Sequence, residues 1–196
     1  MEHKLDFYTS YNQFYITSDG GAALTFDSTN WADSAYLERL FLLKNMLVVR
    51  TESYGHIKGE LYVIDNSNEK ISYDKYDHIV EGGIAIKSGT LQILDCPNSS
   101  VQFEVKVKPG VYRARIYFLH MAGFDSDENE TKDNYIIEIW PDNNMERKVL
   151  KQYPRYRKWF LRLPQSPAAA SDFCGYRRHP RLWYVRQVAG MQGKRK

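Results

Sequence analysis

The densest run of ionisable side chains is Asp125-Ser126-Asp127-Glu128-Asn129-Glu130-Thr131-Lys132-Asp133, five carboxylates within nine residues. Carboxylates so spaced can ligate a hard cation or project negative potential. Asp125, Asp127 and Asn129 match the first three ligand positions of an EF-hand loop, but the sixth is Glu130 where glycine is needed and the twelfth is Ile136 where a bidentate glutamate is needed. No metal is therefore expected. Two uses of the run remain: a solvated connection between strands, or an electronegative patch (Asp125, Asp127, Glu128, Glu130 and Asp133) for a basic protein.

Other chemistry is harder to find. His3, His56, His78, His120 and His179 show no metal-ligand spacing, and only His56 and His120 stand where a general base would be worth testing. There is no GxGxxG, P-loop, HExxH or GxSxG, and no carboxylate pair stands out for glycoside hydrolysis. The expectation is a protein without cofactor that is not an enzyme. Cys96 and Cys174 form no CxxC and are expected as free thiols. No apolar run approaches the length of a membrane span and the N-terminus has no apolar signal segment, so a cytoplasmic protein is expected.

The elements that must position these residues read as β. In residues 100–108, Val101, Phe103, Val105 and Val107 alternate with Gln102, Glu104, Lys106 and Lys108, the period of a half-buried strand. Pro109-Gly110 breaks it and residues 111–119 read as the returning strand of a hairpin, with Tyr112, Ala114, Ile116 and Phe118 on one side. Further strands are expected at residues 13–17, 47–52, 59–64, 83–87, 90–94 and 135–140, with a mobile polar loop at 66–78. Residues 31–43 carry Ala32, Tyr36, Leu40 and Leu43 at helical spacing and predict one short helix. The whole reads as an all-β antiparallel sandwich with a basic C-terminal extension.

Charge divides the chain at the same place. Residues 1–150 hold 15 Lys+Arg and 23 Asp+Glu, a net of 15 − 23 = −8, whereas residues 151–196 hold 12 and 1, a net of 12 − 1 = +11. We therefore expect an acidic domain over 1–150 and an Arg- and aromatic-rich tail over 151–196. Arginines interleaved with Tyr153, Tyr156, Trp159 and Trp183 suit single-stranded nucleic acid through phosphate pairing and base stacking. A disordered, vector-derived or out-of-frame extension would have the same bias.

Several local patterns occur in a familiar order: Ser10-Tyr11-Asn12-Gln13-Phe14; Trp31 followed by Asp33 and Ala35; residues 105–112 across the Pro109-Gly110 turn; and Asp133-Asn134-Tyr135-Ile136-Ile137. Over about residues 5–140 the chain resembles the competence protein J, or DNA-entry nuclease inhibitor, family of bacterial proteins. The resemblance implies a small acidic protein that binds and silences a nuclease, as immunity proteins do for their toxins. The chain departs from the family at residues 66–78, in the acid-rich run at 125–133 and in the tail.

The first expectation is thus a nuclease inhibitor whose acidic surface occupies the cleft of a basic nuclease or toxin. The alternative is a carbohydrate- or ligand-binding sandwich module that uses tyrosine-rich loops, with or without calcium. An enzyme with an unpatterned site ranks third.

Overall fold

The computed structural model describes residues 1–18, 33–43, 45–52, 54–121 and 132–154. The chain divides into two units, Met1–Tyr156 and Arg157–Lys196, and every described residue belongs to the first. Eleven strands and one short helix are described: β1 Glu2–Thr9, β2 Gln13–Thr17, α1 Asp33–Glu38, β3 Leu40–Leu43, β4 Met46–Arg50, β5 Gly55–Val63, β6 His78–Ile86, β7 Thr90–Leu94, β8 Val101–Lys106, β9 Gly110–Leu119, β10 Asn134–Pro141 and β11 Lys148–Lys151. They form a six-stranded sheet, β1-β5-β10-β9-β6-β11, and a five-stranded sheet, β3-β4-β2-β7-β8.

Alternation explains how the sheets meet. Leu5 and Phe7 of β1, Ile57 and Leu61 of β5, Tyr135, Ile137 and Ile139 of β10, and Ala114, Ile116 and Phe118 of β9 point inward from one sheet. Phe14 and Ile16, Leu47 and Val49, and Leu91 and Ile93 point inward from the other, and all join one buried cluster. The opposite face of the five-stranded sheet is also apolar: Tyr15, Met46, Val48, Leu94 and Cys96 are buried there, with Phe41 beside them. Cys96 is a free thiol, as expected; Cys174 lies outside the described residues.

The all-β expectation holds, with four corrections to its detail. The predicted hairpin does not form: β8 pairs with β7 in one sheet while β9 pairs with β10 and β6 in the other, so Pro109-Gly110 passes the chain between sheets. A turn signal marks a reversal but does not choose the partner. The segment expected as one helix divides into α1 and β3 around Arg39, whose φ is 59°. The apolar run Leu40–Leu43 fits either state, and pairing with β4 decides it. The sheets are not wholly antiparallel, because β10 inserts beside β5 in parallel. Residues 66–77 are tied down rather than free: Arg115 Nη1 donates to the Asn68 carbonyl (2.7 Å), Lys151 Nζ to the Tyr73 carbonyl (2.8 Å), and the Tyr76 ring lies 4.4 Å from that of Tyr117.

Candidate functional site

At one end of the six-stranded sheet, Thr9 of β1 stands opposite Gly55 of β5, and Leu119 of β9 opposite Asn134 of β10. The β1–β2 turn, the β4–β5 connection and the connection after β9 therefore leave the sheet at one place. The β1–β2 turn is tight: Tyr11 and Asn12 both take left-handed backbone, φ 57° and 54°, and the Gln13 N–H reaches the Ser10 carbonyl at 3.4 Å. Non-glycine residues adopt this conformation rarely. The neighbouring connection is fastened to the turn, since the Thr51 N–H donates to the Asn12 carbonyl (2.8 Å) and Asn12 Nδ2 to the Glu52 carbonyl (3.0 Å).

This frame displays aromatic rings. Tyr8, Tyr11 and Tyr54 are 52%, 54% and 49% exposed. The Tyr8 ring meets Tyr54 edge to face at 6.4 Å and His56 at 5.7 Å, and His56 Nδ1 lies 3.6 Å from Asp6 Oδ1. That last contact is solvated and contributes little to stability.

Beneath the frame lies a buried polar cluster. The Arg39 guanidinium pairs with the Glu52 carboxylate out of solvent, the Glu52 N–H donates to the Tyr135 hydroxyl at 3.2 Å, and that hydroxyl donates to Asp133 Oδ2. The Arg39 guanidinium also lies 5.9 Å from the Phe118 ring centre and 6.0 Å from that of Tyr153. Burial, reinforced by the Asp133 charge, holds the Tyr135 phenol well above its ordinary pKa, so it remains a donor. Removing one partner of such a buried pair costs about 3–5 kcal/mol, so the cluster holds Glu52 in place. Asn12, from the first of the quoted sequence patterns, and Asp133 with Tyr135, from the last, thus converge on Glu52.

Of the predicted site residues, Asp133 is corrected: at 3% exposure, bonded to Tyr135, it is an internal anchor and presents no surface charge. Asp125, Asp127, Glu128 and Glu130 lie outside the described residues, as do Trp31 and the basic tail. His56 and His120 are exposed, and His120, the residue after β9, has φ 58°. Among the described residues no group of three or more His, Cys, Asp or Glu side chains could hold a metal, and no helix is long and apolar enough to cross a membrane.

Two arrangements escaped the sequence reading. His78 is fully buried; its Nε2 lies 3.0 Å from the Glu38 carbonyl and its Nδ1 accepts from the Tyr153 N–H at 3.3 Å, which assigns the proton to Nε2. Burial, aided by the nearby Arg39 charge, lowers its pKa to about 4. On the outer face of the six-stranded sheet, Glu81 accepts from Arg113 Nε (2.8 Å) and Arg115 Nε (2.6 Å), and Glu138 accepts from the Tyr117 hydroxyl (2.6 Å). The Asn68, Asn144 and Glu146 carbonyls cap these arginines, which strand alternation alone would leave in water. Charges alternating with an apolar face were the available signal for Arg113 and Arg115; nothing local marked His78.

No family model and no curated protein sequence matches the chain. The fold is shared with the crystal structure of ComJ, inhibitor of the DNA-degrading activity of NucA, from Bacillus subtilis: the TM-score is 0.54 at 17% identity, covering 71% of this chain and 96% of that one. A chain described as crocagin biosynthetic gene J aligns with a TM-score of 0.45 at 12% identity, over 73% of this chain and 99% of its own. The architecture is therefore an all-β, two-sheet fold of ComJ-like type.

Proposed function

We propose that the acidic unit of this chain is a nuclease inhibitor that binds a DNA-degrading enzyme and blocks the cleft meant for the phosphate backbone. The observation that carries this reading is the likeness to ComJ over nearly all of that inhibitor's length. Charge supports it: residues 1–150 carry a net of 15 − 23 = −8. A cleft that holds polyphosphate must be electropositive, and an acidic protein surface can take the same place with no chemistry of its own. Asp125, Asp127, Glu128 and Glu130 supply the steering charge in this proposal, while Asp133 anchors the base of their connection.

The test is a DNA-degradation assay on nucleases from the source organism retained by the immobilised full chain. The expected result is that free protein stops degradation at a stoichiometric ratio. If every retained nuclease stays active under an excess of the chain, the proposal fails. It also fails if the purified chain itself cuts DNA and loses that activity on substitution of His56 or His120.

A further inference from the structure

Resting on the inhibitor reading, we infer that Tyr8, Tyr11 and Tyr54, together with the Asp6 carboxylate, form the docking surface for arginine side chains on the partner protein. Tyrosine offers large contact area for little conformational entropy and is enriched where proteins meet. Here three tyrosines stand about half exposed at one end of one sheet, whereas the other exposed large apolar side chains among the described residues, Met1, Leu43, Tyr73 and Val101, belong to separate elements. The Tyr8 ring already meets those of Tyr54 and His56 edge to face, so part of the ordering cost of binding is met before the partner arrives.

The backbone is equally committed. Tyr11 is kept left-handed at a turn position that glycine would take without strain, yet its ring is exposed and gains little packing. The turn is locked to Thr51 and Glu52 through Asn12, and Glu52 to the Arg39 and Tyr135 side chains below. A rigid platform that bears exposed rings is what an interface anchor requires.

Charge selects the occupant. Asp6 is on the Tyr8 face of β1, two residues from it, with its side chain 69% exposed; Lys58 stands opposite it on β5 and Lys4 shares its face, but residues 1–150 around them carry a net of 15 − 23 = −8. A guanidinium can stack on a tyrosine ring while donating to this carboxylate, combining both features; a neutral sugar would use the rings but leave the charge idle.

The probe is a hexa-arginine peptide, titrated into the isotope-labelled full chain and followed by NMR. The expected result is that Tyr8, Tyr54 and His56 signals move most, and that the dissociation constant weakens about tenfold in Tyr8→Ala/Tyr54→Ala and measurably in Asp6→Asn. Because these side chains are exposed, melting temperatures should stay near wild type, and Tyr11→Gly should raise the melting temperature by a few degrees while weakening binding. Shifts centred elsewhere, equal affinity in the double variant, or the same shifts with a neutral oligosaccharide would overturn the inference. So would a double variant that stops the nuclease as well as wild type. A wild-type chain that stops no nuclease would instead sink the inhibitor reading, which the peptide titration does not judge.

Discussion

At His78 a single proton acts on the docking of the segment after β11. In the unfolded chain histidine titrates near 6.5, while in the fold burial lowers this to about 4, so between these values the unfolded state binds more protons. Stability from this residue is complete above about pH 6.5 and falls as pH drops toward 4. The full loss is on the order of 3 kcal/mol, since each pKa unit corresponds to about 1.4 kcal/mol. A proton on Nδ1 would also face the Tyr153 N–H, removing its acceptor. Urea unfolding at pH 7.5 and 4.5 checks this: wild type should lose more stability between the two than His78→Gln does. Parallel losses would show that the charged ring is accommodated.

The connection between β9 and β10 joins acids with opposite expected roles. Replacing Asp125, Asp127, Glu128 and Glu130 by lysine should slow association with the nuclease and weaken inhibition, each lost close pair costing on the order of 1 to several kcal/mol, with little change in stability. The wild-type on-rate should fall steeply as salt rises to a Debye length of about 8 Å. If the quadruple variant inhibits normally at a salt-independent rate, these residues merely connect strands. Asp133→Ala should do the reverse, destabilising the fold by about 1–3 kcal/mol because Tyr135 loses its buried acceptor. The five acids look alike in sequence; only the placement of Asp133 beside Tyr135 separates it as an anchor.

For the molecule as a whole, the acidic unit should fold without its tail, provided the cut respects two contributions from beyond residue 147. Strand β11 pairs with β6, and Tyr153 is buried in the main cluster. A chain ending at residue 154 should therefore melt cooperatively, whereas one ending at 147 should be much less stable, having exposed the β6 edge and deprived His78 of the Tyr153 contact. Circular dichroism melts of both chains decide it. A molten 1–154 chain would mean that the remainder completes the core.

The sequence by itself determined the all-β class, the inward face of β9, and the change of charge near residue 150, because side-chain alternation and composition are local properties. It also placed Ser10–Phe14 and Asp133–Ile137 in one recognisable set without showing that they meet at Glu52. Tertiary structure alone decided strand partners, the crossing at Pro109-Gly110 and the fate of the charges. Arg113 and Arg115 lie on the polar face of β9, yet they are buried because carbonyls 31 and 47 residues away in sequence close over them. Arg39, Glu52 and Asp133 become internal for the same reason: whether a charge is paired out of water depends on what the rest of the chain brings to it.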